Sequence, residues 1–368
     1  MSDRRGGIAL LVVLLALATL GATAAALLAS ASALRDDARG SLVALQARTL
    51  AASAVARTWG AWDGAAHVDD PVGGVSESVE ATASAVATVQ RARLHPQVWW
   101  VAAEARARST LRERPVRHAA ALALQLAVAP LEPPAAVITA GAVSLAPGAL
   151  VAGGDTVPPG WPCAAAAAGA SPEHALLRAT GSVLDAPPGS VRGADGPFTP
   201  ASDPLPAWQE LRSGILAATG TFAAAGSVTP VPSEGASGCA EGGASWGEPD
   251  RAGPGVASCR NRWVVAHAVR PLTIMGGRAQ GILLADSTLH LAGGARFVGV
   301  VLARGAVYVD GASVVGAIVL LGEPGRPAPP LTVAGGASIA RSRCAVLAAL
   351  LGGPLLAPAD PGGWVTLW

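Results

Sequence analysis

The chain has 368 residues, of which 51% are hydrophobic, and a formal net charge of +1, with all 26 basic residues arginine and none lysine. Near-neutrality without a basic cluster argues against nucleic acid as a partner, and the lack of lysine excludes a phosphate-loop lysine and Schiff-base chemistry. With only 3 Phe and 1 Tyr, the core has to be built from Ala, Val, Leu and Gly, and the length corresponds to about two or three domains after an anchor.

No charged side chain lies between Arg5 and Arg35. Within residues 8–34, Ile8, Leu10, Leu11, Val12, Val13, Leu14, Leu15, Leu17, Leu20, Leu27 and Leu28 supply an apolar surface longer than the roughly 20 residues that cross a bilayer as a helix. Arg4 and Arg5 precede the run, whereas Arg35, Asp36, Asp37 and Arg39 cancel after it. That asymmetry predicts a cytoplasmic N-terminus and the bulk of the chain on the far side. Ala31-Ser32-Ala33 has the small-residue pattern of a signal-peptidase site, but the apolar run exceeds the roughly 7–15 residues of a secretory signal. An uncleaved single-span anchor is the plainer reading.

A third reading comes from family resemblance. The start MSDRRGGIALLVVLLALATLGATAA resembles the N-terminus of PilX-type minor pilins and of the K-type minor pseudopilin of type II secretion. The resemblance implies a leader over residues 1–7, cut by a prepilin peptidase between Gly7 and Ile8. It further implies a transmembrane helix over 8–34 and packing with other pilins or pseudopilins in a filament. Major pilins carry Glu five residues after the cut, where this chain has Val12, a departure shared with those two minor groups.

The helical pattern continues past the membrane surface. Leu42, Leu45, Thr49, Ala52, Ala56 and Trp59 recur at steps of three and four, predicting an amphipathic continuation over 35–62 with that stripe against the head. Gly, Pro and an Asp pair break the helix over 60–74. Period-two alternation in AVATVQRARL and VWWVAAEARAR, around His95-Pro96-Gln97, predicts a hairpin, and Val116 to Val128 a third strand. The expectation is a small antiparallel sheet subdomain over about 75–130, as pilin-like heads are similar in having.

Residues 131–368 carry a repeat. VSLAPGALVAGG from Val143, LTIMGGRAQGILL from Leu272, LHLAGGARFVGVVL from Leu289, VYVDGASVVGAIVL from Val307 and LTVAGGASIARSRC from Leu331 share one form, and starts at 272, 289 and 307 are 17 and 18 residues apart. Fixed-period similarity implies stacked units, here the coils of a short parallel β-helix, with an antiparallel sandwich as the competing architecture. Gly281, Gly299 and Gly316 fall at equivalent places and are read as corner glycines. Leu289, Val307 and Leu331, and Ile282, Val300 and Ala317, are expected to fill the coil interior. The copy at Val143 stands apart, separated by a Gly/Pro-rich insertion over about 155–262 or by a chain that leaves the stack and returns. Within that stretch Asp203 caps a helix with apolar face Leu205, Trp208, Leu211 and Ile215. A short apolar helix ending at Gly352-Gly353 and a tail packing Trp364 and Trp368 close the chain.

Four cysteines suit an oxidising compartment and allow three pairings. Cys239 with Cys259 closes a Gly-rich loop and is the first choice, leaving Cys163 and Cys344. No spacing suggests a metal site, no cofactor motif is present, and no catalytic constellation stands out. Gly243-Ala244-Ser245-Trp246-Gly247 has the spelling of a nucleophile elbow without the strand and helix that motif needs, and Asp286 and Asp310 read as solvated turn residues. The expected fold is therefore α+β: a long N-terminal pilin-like helix, a small antiparallel sheet and a β-helix-like head. The expected role is structural and not enzymatic, a minor pilin or pseudopilin anchored once in the inner membrane with its bulk periplasmic or in a pilus. An exported β-solenoid that binds or cleaves surface polysaccharide is the alternative, and a membrane-anchored envelope scaffold of bactofilin-like kind is a third.

Overall fold

The computed structural model describes residues 5–82, 85–107, 115–164, 174–218, 222–235, 238–240, 243–323, 326–360 and 365–367, with side chains from residue 13 onward except those of 222 and 365–367. Arg4, Trp364, Trp368 and the side chains of Ile8, Leu10, Leu11 and Val12 lie outside the described set.

A single helix, α1, runs from Arg5 to Gly60 over 56 residues, about 84 Å at 1.5 Å per residue. It contains no proline and is dominated by Ala and Leu, the best helix formers. The hydroxyls of Thr19, Thr23, Ser30 and Ser32 donate to carbonyls three or four residues earlier, so the apolar stretch carries no hydroxyl in need of water.

The second half of α1 lies under an antiparallel sheet. Its strands Val75–Ala81, Ala85–His95, Val98–Ala107 and Val116–Leu126 follow in chain order, and the C-terminal segments Leu356–Pro358 and Val365–Leu367 both pair with the last of them. Ala85, Ala87 and Val89 alternate inward on one strand and Trp99, Val101, Ala103 and Ala105 on the next. The helix meets this face through Ala47, Ala51, Ala54 and Val55. The expected stripe is corrected in part: Ala52 and Trp59 pack against the core, but Leu42 and Leu45 are 60% and 58% exposed, close to half a turn from the buried alanines at 3.6 residues per turn. Alanine on both sides lets helix and sheet approach closely, which selected the smaller stripe over the greasier one.

Beyond the sheet, two parallel sheets follow one another coil by coil in a solenoid-like head. The shorter strands stack in the order Gly226–Val228, Leu272–Met275, Leu289–Ala292, Val307–Asp310, Leu331–Ala334, Val143–Leu145 and Leu184–Asp185. The longer ones stack as Val264–Ala268, Arg278–Ala285, Arg296–Ala303 and Ser313–Leu320. At the next level the coil is shared between two distant segments. Ser338–Arg341 pairs with the first half of Ser313–Leu320, and Ala135–Thr139 with its second half.

The path of the chain follows from that split coil. It enters the stack in the middle at Ala135, winds to one end at Phe198 and crosses back through helix α2 (Leu205–Ala218) to Phe222 at the other end. It then winds to Arg341 and leaves as helix α3 (Arg343–Leu351). The copy at Val143 therefore lies directly on the copy at Leu331. Residues 155–262, extended loop by composition, supply His174–Ala179, Ala194–Phe198, Phe222–Ala223 and Gly226–Val228 to these sheets.

Leu289, Val307 and Leu331 are in register and fill the coil interior. Ile282, Val300 and Ala317 are also in register and buried, but they point out of the coil and into the core that α3 shares with the antiparallel sheet. Every residue of α3 from Cys344 to Leu351 is buried. A strand covered on both faces reads as a continuous apolar run, so alternation could not assign its two sides.

Candidate functional site

The feature that sets this molecule apart is the division of α1. Residues 13–38 are exposed all round, with Val13, Leu14, Leu15, Leu17, Leu20, Leu27 and Leu28 between 54% and 73% accessible, whereas from Val43 onward one face is covered. The apolar window has the length and composition of a membrane span, and none of it is buried against the rest of the chain. A row of bare leucines is unfavourable in water at about 25 cal/mol per Å², so this half requires lipid or other helices around it. Gly7 and Ile8 both fall inside α1.

At the other end α1 is locked into a seat formed by residues 61–70. Trp62 stacks on His67 at 3.9 Å between centroids, meets Trp99 edge-on at 6.1 Å, and donates its Nε1–H to the carbonyl of Leu351 at 3.1 Å. Asp63 caps the short helix Gly64–His67 and pairs with Arg251, whose guanidinium lies 4.8 Å over Trp161. Arg343 at the start of α3 holds Asp69 at 3.0 Å and Glu132 at 2.9 Å. Gly64 has no room for a Cβ, because one would strike the backbone of Ala348 and Gly352. Anchor, sheet, α3 and the 243–262 segment thus converge on one short stretch, and a displacement of α1 must move the head with it.

Two groups in this seat are electrostatically tuned. Asp70 lies 2.8 Å from His67 Nδ1, and that hydrogen bond holds its carboxyl below the usual range against the opposite push of burial, with Arg91 and Arg93 assisting. For Arg343, burial works to lower the value, but its hydrogen bonds to Asp69 and Glu132 outweigh it and leave the guanidinium above its ordinary value. A depressed carboxylate contributes stability that is complete above the unfolded value and is lost as pH falls through the folded one. Acidification below about pH 4 is therefore expected to weaken the seat. Thermal unfolding across pH 2–6 checks this, since Asp70→Asn should show a shallower loss in that window than the parent chain.

No known protein family matches the sequence, and no curated protein matches it. Among solved structures the chain is similar to the competence-associated pilin ComZ from Thermus thermophilus at 10% identity, with 81% of this chain and 87% of that one covered and a TM-score of 0.19. A TM-score of that size carries no argument for a shared fold or role.

The remaining candidate residues fall as follows. Cys163 is bonded to Cys344 and Cys239 to Cys259. Gly281, Gly299 and Gly316 are in register at the fourth position of successive eight-residue strands, not in the connecting turns, with φ of +132°, +139° and +145°. Ser245 is 3% exposed, with its Oγ 3.3 Å from Cys239 Sγ, so it packs against the disulfide. Asp310 is exposed, but Asp286 is not the solvated residue that sequence suggests. It pairs with Arg212 of α2, which is 1% exposed, and with His267 Nε2 at 2.7 Å. Burial pushes the Arg212 guanidinium down, with Asp286 partly offsetting it. Chemically this trio clips the crossing helix to the side of the stack. Among the described residues no group of three His, Cys, Asp or Glu side chains could hold a metal.

Proposed function

We propose that the chain is a structural, pilin-like subunit, anchored once in the inner membrane with its N-terminus cytoplasmic, which joins a type IV pilus or a type II secretion pseudopilus as a minor component. The observation that carries this reading is the divided helix: a bare apolar half outside the head, joined without interruption to a half fixed under the sheet and held by Trp62, Asp63 and Asp69. That construction transmits position from a helix bundle to a head, which is the task of an assembled subunit. In this reading residues 1–7 are removed by a prepilin peptidase, and the bare helix packs with other pilins or pseudopilins.

Polymerisation through the ends of the stack, as an envelope scaffold requires, is less well served. The terminal strands Leu184–Asp185, Val191–Arg192 and Phe222–Ala223 have two residues each, and Ala194–Phe198 carries Asp195, Gly196 and Pro197 on the edge. Such features blunt strand pairing.

The test is the N-terminus of the membrane-bound protein after co-expression with a prepilin peptidase. The expected mature chain starts at Ile8, and Gly7→Leu leaves it uncut. A start at Leu34 would replace this reading with a secreted solenoid, and an intact Met1 in both variants would leave a plain anchored scaffold.

A further inference from the structure

On the outer face of the stack, at the first position of the long strands, two arginines stand directly over one another. Arg278 and Arg296 are in register in adjacent parallel strands, about 4.8 Å apart at the backbone. Like charges placed side by side on a sheet are unfavourable unless compensated. Arg278 is compensated: its Nη2 lies 2.9 Å from Oε2 of Glu248, a carboxylate that is 0% exposed and also accepts from the backbone N–H of Asp250 and Val256. Arg296 is half-buried, and among the described residues no carboxylate pairs with it. The pair therefore leaves one positive charge over at this place.

That surplus charge lines a groove of about 420 Å³ formed by Arg278, Arg296, Gly277 and the wall Pro230-Val231-Pro232. Val231 is 54% exposed. The wall is fixed: Pro230 accepts the backbone N–H of Arg278 at 3.1 Å, and Val231 donates its own N–H to Ala244 at 2.8 Å. The lining is aliphatic apart from the two guanidiniums. A ligand rich in hydroxyls would lose water here without gaining hydrogen-bond partners, whereas an aliphatic group gains by burial.

We propose that this groove binds a carboxylate carried on an aliphatic body, and specifically the C-terminus of a peptide ending in an aliphatic residue. Arg296 takes the α-carboxylate, and the terminal side chain lies against Val231 between the two prolines. Arg suits this task because its planar fork meets both carboxylate oxygens. No residue of α1 lines the groove, and the proposal stands whichever reading of the N-terminus holds.

The test uses the full-length protein in detergent and an N-acetylated, fluorescently labelled pentapeptide ending in leucine, prepared as free acid and as amide, with anisotropy as the readout. The free acid is expected to bind at least tenfold more tightly than the amide. Arg296→Ala should abolish that difference, Arg296→Lys should retain part of it, and Val231→Ser should weaken both forms. Arg326→Ala, at an exposed arginine paired with Glu323, should change nothing. Equal binding of acid and amide, no binding of either, or a preference for the acid that survives Arg296→Ala overturns the proposal. So does tighter binding of a uronic-acid oligomer than of the peptide, because it would remove the aliphatic requirement.

Discussion

Gly299→Ala is expected to cost about 3–5 kcal/mol of stability, enough to unfold much of the head, whereas Gly294→Ala five residues earlier is expected to cost about 1–2 kcal/mol. Both glycines have positive φ, +139° and +81° respectively, so both substitutions carry the conformational penalty of an L-residue in that region. They differ in what a new Cβ would meet. At Gly294 there is nothing within 4 Å, but at Gly299 it would be driven into the backbone carbonyl of Gly281 one coil below. The conflict repeats up the stack, since a Cβ on Gly281 meets the carbonyl of Val264 and one on Gly316 meets that of Gly299. These are backbone atoms in ladder hydrogen bonds and cannot give way as a side chain can. Chemical denaturation of the two variants checks the difference. Equal losses would show that backbone conformation alone is at work and that the close approach between coils carries no energy.

Those three glycines also mark how far sequence reasoning reached into this fold. Their common spacing and the ladder Leu289, Val307, Leu331 were legible, because a stack repeats its constraints at a fixed period. Their place in mid-strand was not, since a positive φ inside a strand leaves no composition signal different from that of a corner. The helix–sheet interface was missed in part for a related reason: Leu42 and Leu45 are the more hydrophobic residues, but Ala47 fits against Ala85 and Ala107, Ala51 and Ala54 join the cluster of Ala87, Ala103 and Ala105, and closeness of approach won over hydrophobicity. The seat at residues 61–70 was visible only as a helix break with an Asp pair. Its partners Arg251, Arg343 and Leu351 lie 188, 274 and 289 residues away from Asp63, Asp69 and Trp62, and no local pattern encodes such pairings. Arg212, a charged residue within one turn of the buried Trp208 and Ile215, was the one available signal that Asp286 had a partner.

Removing the Cys163–Cys344 bond is the second change expected to have a large effect, and its size follows from topology. The two cysteines are 181 residues apart, against 20 for Cys239 and Cys259. The chain-entropy estimate is about 5 kcal/mol for the long loop and about 3 kcal/mol for the short one. The longer loop also bridges the weak point of the stack. At the split coil one strand is made of Ser338–Arg341 and Ala135–Thr139, with no peptide link between the two halves. Cys344 opens the helix that leaves the upper segment, and Cys163 lies in the connection between Leu150–Ala152 and His174–Ala179 of the lower one. Across the same seam Arg341 Nε donates to the carbonyl of Pro133 at 2.8 Å, and Asp155 accepts from the backbone N–H of Arg343 at 2.7 Å. These polar contacts are worth about 1–3 kcal/mol each when buried, so the covalent tie is the largest single contribution there. The double variant Cys163→Ala, Cys344→Ala is expected to lose more stability than Cys239→Ala, Cys259→Ala, and to lose it first at the seam. Hydrogen exchange should show Ile138, Thr139 and Ala340 deprotected ahead of Val300 and Val301 in the middle of the stack. If the short-loop pair proves the costlier to remove, or if faster exchange stays confined to the loop around Cys163, then the two halves of the split coil are held together by the packing of α3 and the polar contacts across the seam, and not by the covalent tie.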